Sequence, residues 1–234
     1  MKNKSIGIIG GVGPQATEYL YGKIIELSQK KYGAKNNDDY PHLIIESLPI
    51  PDFISDETKV PEAIEMLKAC VKRFSDSKVD RICIASNTVH ILLTELQKLT
   101  RIEFLSMIDL VSNKCESLGY KKVGLLGTPV LTKSKLYNAS LNERGTDLIT
   151  PNEEELKIVE KIIRGVLSGD NHNVDKVEYI KLMNDIYSQG AEGIILGCTE
   201  LPLAVDYSVL GKKVINSDEV LAEGIVDFYY NFEE

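Results

Sequence analysis

Two short polar clusters in this chain each follow an apolar run, and their residue types are ones that bind carboxylates or move protons: Gly197-Cys198-Thr199-Glu200 and Ser86-Asn87-Thr88-Val89-His90. A cysteine just past a strand, where a helix is about to start, meets N–H groups and the positive end of a dipole, which lower a thiol pKa from about 8.5 and make a base of it. Free cysteine is also a common buried small hydrophobe, so packing is the competing explanation, and the polar Thr199 and Glu200 that follow favour a site. Ser86, Asn87 and Thr88 suit a carboxylate. Equally, they are residues that start helices by capping them. His90 falls a turn further on and reads as a hydrogen-bonded, partly buried histidine, while His42 and His172 have no catalytic company.

A third segment, Gly10-Gly11-Val12-Gly13-Pro14, lacks the G-x-G-x-x-G spacing of a dinucleotide turn. Its glycines let backbone N–H groups approach a small anion, with Pro14 opening the next helix, and a plain tight turn explains it about as well. The other cysteines read as packing. Cys83 is flanked by Ile82 and Ile84 inside a strand, and Cys70 and Cys115 fall in helical stretches. No CxxC pair and no histidines at zinc-ligand spacing accompany them, so neither a metal site nor a disulfide framework is expected.

The elements that must position these clusters alternate along the chain. Strands are expected at Ser5 to Ile9, His42 to Ser47, Arg81 to Ala85, Glu103 to Met107, Lys122 to Leu126, Gly193 to Leu196 and Lys213 to Ile215. Amphipathic helices lie between them, such as Pro61 to Phe74 with Ile64, Leu67 and Val71 on one face. This is an α/β pattern with parallel strands. It also echoes itself. Ser5 to Pro14 resembles Lys122 to Pro129, and Val79 to Thr88 parallels Ala191 to Glu200, which aligns Ser86 with Cys198. Two such halves would bind a ligand at the carboxyl ends of their strands.

The 234 residues, 43% of them hydrophobic, suffice for one large core or two small ones. A net charge of -8 argues against nucleic acid or an anionic membrane as partner, and the pairs Lys121-Lys122 and Lys212-Lys213 are too short to reverse that. No apolar stretch approaches the roughly 20 residues that span a bilayer. A cytoplasmic protein is expected.

Four motifs in order resemble the aspartate/glutamate racemase family along nearly the whole chain: Gly10-Gly11-Val12-Gly13-Pro14-Gln15-Ala16-Thr17, Ser86-Asn87-Thr88, Leu125-Leu126-Gly127-Thr128 with Thr132, and Gly197-Cys198-Thr199-Glu200. The family shows Cys-Asn-Thr where this chain has Ser86-Asn87-Thr88. The resemblance implies two pseudo-symmetric three-layer αβα domains, residues 1–104 with 213–234 and residues 105–212, with an active site in the cleft between them, and often a homodimer. It implies racemisation of a small acidic amino acid, aspartate or glutamate, with no cofactor: one thiolate removes the Cα proton and a second thiol returns one on the opposite face. Cys198 and Ser86 are then the catalytic positions, and Val12, Asn87, Thr88, Thr128, Thr132, Thr199 and Glu200 the substrate-binding ones.

Two departures shape that expectation. Ser86 cannot be a resting base at neutral pH, although it can donate a proton, so turnover is expected to be slow or lopsided, with Cys198 acting on the L form. In Ser47-Leu48-Pro49-Ile50-Pro51-Asp52-Phe53 the family's aspartate-specific members tend to carry Arg where this chain has Phe53, which removes a bidentate partner for a side-chain carboxylate. Arg164 and Lys161 are other sources of positive charge. A one-thiol lyase or decarboxylase, and a silent amino-acid-binding protein, are the competing functions.

Overall fold

The computed structural model describes residues 4–54, 56–169, 176–207 and 213–231; His172 and Lys212 fall outside them. Along the chain run β1 (Ser5–Gly10), α1 (Pro14–Tyr32), β2 (His42–Ser47), α2 (Val60–Asp76), β3 (Arg81–Ile84), α3 (Leu93–Gln97), β4 (Phe104–Leu105), α4 (Met107–Ser117) and β5 (Lys122–Gly127). They are followed by α5 (Pro129–Ser134), α6 (Leu136–Asn142), β6 (Asp147–Ile149), α7 (Glu153–Leu167), α8 (Lys176–Ser188), β7 (Gly193–Gly197), α9 (Leu201–Ala204), β8 (Val214–Asn216) and α10 (Ser217–Tyr230). These form two compact units, the first of Met1–Asp52, Thr58–Met107 and Asp218–Glu234, the second of Phe53–Glu57 and Ile108–Ser217.

The first unit holds a parallel four-stranded sheet in the order β2-β1-β3-β4, and the second an equally parallel sheet in the order β6-β5-β7-β8. The expected α/β class holds, and the echo in the sequence corresponds to one strand order used twice. β1 and β3 are neighbours in the first sheet, and β5 and β7 in the second. In each sheet the chain moves outward from the first strand to one side, then crosses to the other, so the carboxyl ends of β1 and β3, and of β5 and β7, frame a topological switch point.

Central parallel strands are covered on both faces and read as continuous apolar runs rather than alternating ones. β1 and β7 are buried along their whole length. Against β1 lies α2, whose Ile64, Leu67, Val71 and Phe74 face inward as the three-four spacing requires, and the Phe74 ring fills the space above Gly7 that a side chain there would take. In the second unit α7 and α8 present Val159, Ile162, Ile163, Tyr179, Met183 and Ile186 to Leu126, Ile194 and Leu196. Asn152 starts α7 with a reciprocal cap: its Oδ1 accepts from the Glu154 and Glu155 N–H groups at 3.0 Å, and Glu155 accepts from the Asn152 N–H at 2.7 Å.

Strands β6 and β4 differ from expectation. β6 was not anticipated, because Asp147–Ile149 is only three residues long and follows the polar turn Arg144-Gly145-Thr146. It is held as an edge partner of β5, with Asp147 N–H donating to the Lys121 carbonyl at 2.8 Å. β4 is shorter than Glu103 to Met107, since Met107 already begins α4.

Candidate active site

At the switch point of the first unit, Ala85 N–H donates to the Ile9 carbonyl at 2.8 Å, which fixes Ser86 beside the end of β1. Ser86, Asn87 and Thr88 are all buried, and the short turn of helix that follows has no side-chain cap from Asn87. The capping explanation for Asn87 therefore does not apply. His90 behaves as a structural residue. Its Nδ1 lies 2.7 Å from the Ser86 carbonyl, and its Nε2 accepts from the Met107 N–H at 3.0 Å. Because a backbone N–H can only donate, the ring is the neutral tautomer with its proton on Nδ1. That bond anchors the Ser86 backbone.

The glycine loop beside it is folded by its own contacts. Gly11 and Gly13 hold φ of +83° and +82°, and a Cβ at Gly11 would lie 2.4 Å from Leu48 N. Gly11 N–H donates to Thr17 Oγ1 at 2.9 Å, and Thr17 N–H donates to the Gly13 carbonyl at 3.2 Å. The Gly11 N–H is thus taken up within the chain by the Thr17 hydroxyl. Val12, at the crest of the loop, is half-buried.

In the second unit β7 delivers Cys198, Thr199 and Glu200 into a tight turn closed by Leu201 N–H donating to the Cys198 carbonyl at 3.1 Å. Cys198 is 6% exposed and Glu200 4% exposed. The Cys198 thiol donates to Glu200 Oε2 at 3.0 Å, and the Thr199 hydroxyl donates to the same oxygen at 3.0 Å. A carboxylate this deeply buried needs such donors to offset its desolvation. Glu200 is therefore built into the thiol's own hydrogen bonding, rather than only into a substrate pocket as the motif implied.

Next to it, after β5, Thr128 caps α5: its Oγ1 accepts from Leu131 N–H at 3.1 Å. Thr132, one turn on, has a buried hydroxyl oxygen with no hydrogen-bond partner, the arrangement a ligand would complete. Phe53 and Ile54 belong to this unit. Ile54 O accepts from Val130 N–H at 3.1 Å, and Phe53 is only 4% exposed. Among the described residues no lysine or arginine is fully buried. Arg164 is paired with Glu160 at 2.8 Å on the solvent face of α7, and Lys161 is exposed.

The remaining thiols are core residues. Burial pushes Cys70 and Cys115 up to about 12, and Cys83, enclosed in the sheet with its sulfur 3.5 Å from the Gly7 carbonyl, higher still. Sequence reasoning missed two residues near Cys198. Tyr207 donates from its hydroxyl to the Leu201 carbonyl at 2.5 Å, and Tyr179 lies 3.1 Å behind it, oxygen to oxygen. No spacing in the sequence ties them to the motif.

Two α/β units of identical strand order, each with a polar turn at its switch point and one of them holding a buried thiol on a carboxylate, define a scaffold for chemistry on a small molecule. Residues 9–224 match the model of the Asp/Glu/Hydantoin racemase family, and the chain belongs to that family. It is 29% identical over 231 residues to the broad specificity amino-acid racemase RacX of Bacillus subtilis (strain 168), covering 97% of this chain and 99% of that one. Its fold is shared with an aspartate racemase homologue from Pyrococcus horikoshii OT3, at a TM-score of 0.79 and 32% identity over 96% of this chain and 98% of that one. A Picrophilus torridus aspartate racemase gives the same TM-score at 28% identity, over 96% and 94% of the two chains. Among the described residues no helix is long and apolar enough to cross a membrane.

Proposed function

We propose that this protein racemises a free amino acid by cofactor-independent transfer of the Cα proton, with Cys198 as base and Ser86 in the place of the second acid. The observation that carries the reading is the buried contact of the Cys198 thiol with Glu200. Glu200 accepts from the thiol and orients it; once the thiol has released its proton to solvent, the thiolate removes the Cα proton of one enantiomer and becomes a thiol again, and Ser86 or water supplies a proton to the opposite face. Ser86 then recovers a proton from solvent, which holds the one that the thiol released, so the proton count closes. Asn87, Thr88, Thr128, Thr132, Thr199 and the backbone at Val12 hold the carboxylate and amine. The broad specificity amino-acid racemase RacX and the Picrophilus torridus aspartate racemase support an amino acid as the class of substrate.

Aspartate and glutamate are the first substrates to test. Phe53 provides no charge for their side-chain carboxylate, which favours a tolerant pocket over an aspartate-selective one. A cytoplasmic homodimer is the assembly we expect. Solvent deuterium entering Cα of L- and D-substrates tests the chemistry. Incorporation should disappear in Cys198→Ala, and time courses from pure L and pure D should differ. Equal, fast rates in both directions would rule out the one-thiol mechanism.

A further inference from the structure

The turn that carries Cys198 and Glu200 runs straight into α9, which is four residues long and has Pro202 in its first turn. A helix this short cannot hold itself. The Leu201 carbonyl is instead fixed from outside by the Tyr207 hydroxyl at 2.5 Å. That bond uses the single proton of Tyr207, so Tyr179, 3.1 Å away, must donate to it. The two rings meet edge to face with centroids 6.4 Å apart. Tyr179 is fully enclosed in the same apolar cluster as Cys198, Leu201 and Ala204, with Tyr207 packed against it.

We infer that Tyr207, backed by Tyr179, is a positioning residue for the Cys198–Glu200 pair: it clamps the Leu201 carbonyl and so fixes the turn on which thiol and carboxylate meet. Leu201 N–H is bonded to the Cys198 carbonyl and Leu203 N–H to the Glu200 carbonyl, both within about 3 Å. Movement at Leu201 is therefore passed to both functional residues. Burial keeps both phenols protonated, and hence donating, far above neutral pH. Glu200, through the thiol's hydrogen bond, and the two phenols, packed in the same cluster, are titratable groups that act on Cys198.

This inference rests on the proposed role of Cys198, so its test must read the thiol without needing turnover. The pH dependence of iodoacetamide labelling at Cys198 does so in the full chain, because the other three thiols are held protonated by burial. Glu200→Gln removes the carboxylate that retains the thiol proton, and should move the profile about one pH unit lower. Tyr207→Phe should move it in the same direction by a smaller step, and slow deuterium exchange about tenfold or more with little change in KM. A wild-type profile in a folded Tyr207→Phe protein overturns the role. Where Tyr207→Phe does not fold, Tyr179→Phe, which keeps the Leu201 bond and strips its backing, decides: a shift in the same direction supports the clamp and a wild-type profile overturns it. The proposed activity fails separately, by an absence of exchange with every amino acid tested while the labelling profiles still shift.

Discussion

In the internal repeat position 86 carries a hydroxyl where position 198 carries a thiol, and the two groups differ greatly in acidity. The His90 ring pins the Ser86 backbone through its carbonyl, so a side chain placed at 86 inherits a fixed location. Ser86→Cys should raise the slower direction of exchange by about 100-fold, within the range a positioned acid or base contributes. The measurement is the ratio of initial rates from L and D substrate, which should move toward one. An unchanged ratio would show that water, not residue 86, returns the proton. The turn that carries Cys198 and Glu200 was legible from its place past an apolar strand. Their direct contact was not, because side chains two apart meet only when the strand has already ended, and the sequence does not mark that residue.

At the scale of elements, the loops are as specified as the strands. Gly11 holds a positive φ with no room for a Cβ, whereas Gly33, also at positive φ, has open space around it. Gly33→Ala should therefore cost about 1 kcal/mol, the penalty of the left-handed backbone alone. Gly11→Ala should cost clearly more and disturb the end of β2, since Leu48 N–H donates to the Gly10 carbonyl at 2.9 Å. Urea titration of the two variants separates these costs. Most strands could be read from their apolar runs, and α2 from its spacing, because burial on both faces or on one stripe leaves a clear pattern. β6 escaped because three residues at a sheet edge are too few to show a period. Tyr179 and Tyr207 escaped because they lie in distant stretches joined only by the fold.

For the whole molecule, the enclosed acids set a limit at high pH. Cys70 and Cys115 are pushed to about 12 and Tyr187 to about 12, with Cys83, Tyr179 and Tyr207 higher, in each case chiefly by burial. In the unfolded chain such groups ionise near about 8.5 and about 10. The folded state thus keeps protons that the unfolded state releases, and stability falls as pH rises. Below about pH 8 this contribution is complete, and it drains away between about pH 9 and 12. Denaturant midpoints should be level from about pH 7 to 8 and then fall steadily, and a flat profile to about pH 11 would contradict the burial of these groups.

The second unit is drawn almost entirely from one stretch, Ile108–Ser217, with Phe53–Glu57 already ahead of it, whereas the first unit is completed by Asp218–Glu234, which follows the whole of the second. Synthesis runs from the amino terminus, and domains fold as they emerge. The half that is begun first on the ribosome is therefore finished last: until α10 is released it lacks its closing helix, while the half bearing Cys198 already has all its strands.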